Sequence, residues 1–143
     1  MGLFDKILGG SKKEYPPLDP GSPEGQYVRQ VMGELTSIAK EVPDPLEVVP
    51  GKEKTFVFIG KPPKNFGIFW IQDGQVQNFR KLADEKNISP SQFQLASEEL
   101  REAYKNNVPE EKFSATVADR KVTVVPGDSL RREVSRIVEK LQG

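Results

Sequence analysis

Residues 55–71 read TFVFIGKPPKNFGIFWI, and the fold turns on this stretch. Thr55 to Ile59 and Phe66 to Ile71 are β-branched and aromatic, and each is too short for a helix. Both are nearly continuous in apolar residues, the pattern of strands covered on both faces, so they belong at the centre of a sheet. The link from Gly60 to Asn65 has hairpin length and is stiffened by Pro62 and Pro63.

On the N-terminal side, Leu46, Val48 and Val49 make a short edge strand that Pro50-Gly51 ends. Before it, Gln26 to Val42 reads as one helix. Tyr27, Val28, Val31, Met32, Leu35, Ile38, Ala39 and Val42 form its apolar stripe, and Pro43 stops it. On the C-terminal side, Asp73-Gly74 is a turn. Gln75 to Phe79 then fits a strand if that turn is tight. Val76, Phe79 and Leu82 at helical spacing favour instead a helix running to Lys86 with Asp73 as its cap.

Ser89-Pro90 opens the next helix, a hydroxyl cap followed by proline, with Phe93, Ala96, Leu100, Ala103 and Tyr104 on the buried stripe. Phe113 to Val125 reads as a hairpin. A two-residue loop at Asp119-Arg120 would set Val117 opposite Val122 and Ala115 opposite Val124. Pro126-Gly127-Asp128-Ser129 starts a last helix whose stripe is Leu130, Val134, Ile137, Val138 and Leu141. The expected class is α+β: a mainly antiparallel sheet of four to five strands with about four helices packed on it.

Residues 1–25 differ from the rest. MGLFDKILGG puts Leu3, Phe4, Ile7 and Leu8 on one helical face, with Asp5 and Lys6 opposite. A run rich in proline, glycine and serine follows, reading as extended and solvated. The expected organisation is a flexible tail and linker over 1–25 and a single α+β domain over 26–143. Gly2 suggests myristoylation, but Lys6 stands where that pattern wants Ser or Thr.

The 143 residues include no cysteine and no histidine. That excludes disulfides, thiol chemistry, Ser-His-Asp triads and histidine-ligated metals. Lysine plus arginine and aspartate plus glutamate both number 21, so there is no net basic charge to draw nucleic acid. No apolar run approaches the roughly 20 residues that span a bilayer, and no signal peptide is read, so the expected location is cytoplasmic.

Three charged groupings remain. Lys61 and Lys64 flank the proline loop, near Lys52, Lys54 and the aromatic residues Phe66 and Trp70. Lysines beside exposed aromatics suit a single-stranded nucleic acid or phosphate; the plainer reading is a rigid loop with both rings in the core. Arg120, Lys121, Arg131, Arg132 and Arg136 make a basic side near the C-terminus. Arg132 and Arg136 lie four apart on one helix face, with Glu133 and Glu139 to dilute them. Glu98 and Glu102, one helical turn apart, could share Mg²⁺, but no third ligand accompanies them. No residue set implies a reaction or a cofactor.

The leading expectation is therefore a non-catalytic interaction module. It would bind a protein partner through Leu3, Phe4, Ile7 and Leu8 and the domain, with peripheral membrane contact as the other use of that stretch. The alternative is an anion or nucleic-acid surface at Lys61, Lys64, Arg132 and Arg136.

Overall fold

The computed structural model describes residues 15–62, 64–107 and 111–142. Leu3, Phe4, Ile7 and Leu8 lie outside them. In chain order the elements are α1 (Pro23–Gln30), α2 (Met32–Glu41), β1 (Leu46–Val49), β2 (Lys54–Lys61), β3 (Asn65–Gln72), β4 (Gln75–Asn78), α3 (Phe79–Lys86), α4 (Pro90–Asn107), β5 (Phe113–Val117), β6 (Arg120–Val124) and α5 (Asp128–Gln142). The class is α+β, as the patterning predicts. The sheet is larger than expected and mixed, with six strands in the order β4-β3-β2-β1-β6-β5. Four neighbouring pairs are antiparallel; β1 and β6 run parallel.

The alternation of side chains along β2 explains its two-sided apolar run. Phe56 and Phe58 join Val49, Ile68 and Trp70 beneath α3, α4 and α5. Val57 and Ile59 join Val48, Ile71, Val122 and Val124 beneath α1 and α2. Helices therefore cover both faces. On α5, Leu130, Val134, Ile137 and Val138 are buried as the stripe predicts, with Leu141 packed at the edge of the same cluster. α4 is capped by a reciprocal box: Ser89 Oγ accepts from Gln92 N at 3.2 Å, and Gln92 Oε1 accepts from Ser89 N at 2.9 Å.

Several local expectations are corrected. The long N-terminal helix is two helices. β-branched Val31 leaves helical geometry (φ −110°, ψ 18°) and breaks it between α1 and α2. β1 is an interior strand rather than an edge, because β6 pairs along its free side. After Asp73 and Gly74, both at positive φ, Gln75–Asn78 forms strand β4, and the helix begins only at Phe79, capped by Asn78 rather than Asp73. The tight turn leaves Gln75 directly opposite Gln72, so strand pairing outcompetes the helical spacing. In the β5–β6 hairpin the two left-handed residues are Ala118 and Asp119, so Val117 faces Arg120 and Ala115 faces Val122. A shift of this size preserves which side chains share a face, so the apolar side is unchanged.

Residues 15–22, read from the sequence as linker, lie against the sheet. Ser114 N donates to Pro16 O and Leu18 N to Ser114 O, both at 2.9 Å, making a single parallel bridge on the outer edge of β5. Asp19 then turns the chain, its carboxylate accepting from Gly21 N at 2.9 Å, and Ser22 Oγ caps α1 by accepting from Gly25 N at 3.0 Å. A Cβ at position 25 would collide with Asp19 O and Pro20, so glycine lets the turn lie flat on the helix.

The boundary expected after residue 25 thus falls inside α1. A chain starting at Gln26 loses the cap, the bridge and the packing of Leu18. It should be about 2 kcal/mol less stable than a chain starting at Tyr15. Urea unfolding of the two truncated chains checks this; equal midpoints would show that residues 15–25 contribute nothing.

Candidate functional site: a groove on the β5 edge

The segment 15–20, α1 and the edge of β5 enclose a groove of about 520 Å³. Its apolar lining includes Leu18, Val28, Met32 and Ala115, and two exposed cations, Arg29 and Lys121, stand on it. The lining contains no carboxylate, and among the described residues neither cation forms an ion pair. The groove therefore carries uncompensated positive charge over an apolar floor, on a protein of zero net charge.

One wall is fixed from the interior. Lys112 Nζ lies 6.0 Å from the Tyr15 ring centroid and 5.8 Å from that of Tyr104, within cation–π range of both. It also reaches Tyr104 Oη at 3.4 Å, and Tyr104 Oη donates to Glu47 Oε1 at 2.6 Å. The network ties the groove wall through α4 to the interior strand β1. Burial raises the Tyr104 pKa, and the hydrogen bond and charge of Glu47 push it further up.

Replacing Tyr104 by Phe should cost about 1.5–3 kcal/mol at neutral pH, because a hydrogen bond to a carboxylate is lost. The folded-state pKa is raised, so this stabilisation is complete below the ordinary tyrosine pKa of 10.0. Above it the unfolded chain ionises first and the contribution declines. The gap between parent and Tyr104→Phe should therefore narrow as pH rises past 10, read by thermal melts between pH 7 and 11. A gap constant with pH would show that the phenol is not held protonated.

The residues singled out in the sequence are distributed as follows. Lys61 and Lys64 are exposed at the end of β2 and in the β2–β3 loop. Arg101, from α4, binds Lys64 O at 3.3 Å and lies over the Phe66 ring at 5.9 Å. Trp70 is fully buried, and Phe66 is half-buried against the same core cluster. Arg132 and Arg136 are exposed on α5, paired with Asp128 at 3.9 Å and Glu133 at 2.9 Å. Among the described residues no hydrogen bond or ion pair joins Lys61 or Lys64 to Arg132 or Arg136.

Arg120 does not belong to a basic surface: its guanidinium is engaged by backbone carbonyls. Glu98 and Glu102 pair with Arg101 and Lys105 on their own helix. Among the described residues no three Cys, His, Asp or Glu side chains gather as a metal site, and no helix is long and apolar enough to cross a membrane.

Sequence reading missed Tyr15, Leu18 and Arg29 as parts of one site, because the prolines around them looked like linker. Their signal was Pro16, Pro17 and Pro20, residues that suit an edge-covering segment as well as a free one.

Comparisons with protein-family models, with curated proteins and with solved structures find no significant match to this chain.

Proposed function

We propose that this chain is a non-catalytic interaction module that takes a protein partner in the β5-edge groove, with Leu3, Phe4, Ile7 and Leu8 as an accessory docking element. The observation that carries the reading is the groove itself: apolar floor, unpaired cations, and Tyr15 on its wall. Leu8 precedes Tyr15 by seven residues, a span of at most about 25 Å. A partner seated in the groove is therefore within reach of the apolar stretch. Two weak contacts on one short tether reinforce each other through a millimolar-class effective concentration. The absence of cysteine is compatible with a cytoplasmic setting, where disulfides are rare.

The test is capture from native extract by the full chain and by its Phe4→Ser/Ile7→Ser variant, quantified by mass spectrometry. A protein retained by the parent and reduced about tenfold by the variant is the expected result. Equal retention by both overturns the accessory role. Retardation of single-stranded nucleic acid at low salt, abolished by Lys61→Glu/Lys64→Glu, would replace the protein-partner reading with the anion-surface one.

A further inference from the structure

We propose that the open step of β5 at Thr116, together with the groove around it, is a strand-addition site for an extended partner segment of alternating apolar and acidic residues. This rests on the interaction-module reading and specifies its partner.

The backbone of Ser114 faces away from β6, since both its N–H and its C=O are bonded by residues 16 and 18. Residues two apart on a strand face the same way, so the N–H and C=O of Thr116 also point outward. Among the described residues nothing bonds them. For the carbonyl the reason lies in the sequence. In the parallel register set by Leu18, the next donor would be residue 20, which is Pro20 and has no N–H. The chain turns away at Asp19 instead.

Edge strands are normally covered or blunted against adventitious pairing. Here the cover ends one step short, and the uncovered step opens into the groove. Both Ala115 and Thr116 line it, and these neighbours point to opposite faces of the sheet. The groove therefore wraps the edge, as a strand added there would require.

Charge selects the occupant. An added strand presents one set of alternate side chains to the α1 side of the sheet, where Leu18, Val28 and Met32 offer apolar contact and Arg29 stands on the same helix, and the other set to the side of Lys121, where carboxylates fit. The second groove, between α4 and α5, offers no such bias. Its glutamates 98, 99, 102 and 133 are each paired with a lysine or arginine. Main-chain bonds at one open step supply little affinity alone, so the side chains in the groove carry the specificity.

The probe is an end-blocked octapeptide of alternating valine and glutamate, titrated into the isotope-labelled full chain and followed by amide NMR. Its counterpart has lysine for glutamate. The glutamate peptide should shift the amides of Arg29, Thr116 and Lys121 and bind at least tenfold more tightly than the lysine peptide. Arg29→Glu/Lys121→Glu, at two exposed positions, should reverse that preference while the remaining spectrum stays that of the folded parent.

Equal response to both peptides overturns the proposal, as do shifts confined to the α4–α5 groove or no response at about 1 mM peptide. A tenfold gain in peptide affinity on Phe4→Ser/Ile7→Ser would make the chain's own N-terminal stretch the occupant. Shifts at Thr116 on diluting the protein alone would make it a second copy; either result also overturns the partner assignment. Capture that depends on Phe4 and Ile7 alongside a failed peptide titration would leave the module standing and remove only this site.

Discussion

Val134→Asp should abolish folding at room temperature. Val134 is fully buried on α5, within the cluster that includes Phe56, Trp70, Leu130 and Ile137. A carboxylate placed there loses its hydration among apolar side chains, which costs several kcal/mol. Domains of this size hold about 5–15 kcal/mol in total, so a loss above about 4 kcal/mol removes much or all of the margin. Val134→Ala separates charge from shape: it loses only apolar burial and leaves a small cavity, about 2 kcal/mol. Circular dichroism and urea titration of both variants decide the matter. An aspartate variant that melts like the parent would mean that α5 does not pack on the sheet as described.

Arg120→Ala should cost about 3–4 kcal/mol, the largest effect expected of any partly exposed residue. Its Nη1 donates to Ala39 O at 2.8 Å and Val42 O at 2.7 Å, and its Nη2 to Asp44 O at 2.6 Å. Ala39 lies in the last turn of α2, Val42 is its C-cap, and Asp44 follows in the connector, so one guanidinium satisfies carbonyls that the helix cannot. Charge-assisted bonds contribute about 1.5–3 kcal/mol each, though they do not add when one group makes them all. Arg120→Lys should recover less than half of the loss, because an ammonium lacks the planar fork that spans both sides of the turn. A fall in the urea midpoint with an unchanged slope is the expected signature. A loss below about 1 kcal/mol would show that water replaces the clamp.

The same residue shows where sequence reading succeeds and where it stops. β2 and β3 were legible because two-sided burial leaves a continuous apolar run, a signal local to each strand. The start of α4 was legible because a hydroxyl cap and a proline, Ser89 and Pro90, are adjacent in the chain, although the return bond from Gln92 was not read. The missing pieces depend on distant partners. Whether Leu46–Val49 is an edge or an interior strand is decided by β6. The hairpin register is decided by two left-handed residues, Ala118 and Asp119, neither of them glycine, and Arg120 thereby enters the strand rather than the loop. Its charge suggested a surface role, while its partners are carbonyls, which carry no sequence signature. The groove was illegible for a related reason. Proline-rich residues 15–22 have the composition of a linker, and only the unoccupied edge of β5 makes them part of the fold.

The parallel pairing of β1 with β6 has a consequence for how the molecule assembles. It joins two antiparallel pieces, β4-β3-β2-β1 and β6-β5, that are each built from neighbouring segments of chain. The seam at Glu47–Thr123 and Val48–Val124 must instead be closed across roughly 75 intervening residues, and Val125 N to Val48 O extends it. Contacts of such separation are the slow ones in folding. Arg120 crosses the same divide, tying the start of β6 to the chain just before β1. Arg120→Ala should therefore speed unfolding while scarcely slowing refolding, and stopped-flow measurement of both rates checks this. On this topology Arg120 is the side chain that latches the seam.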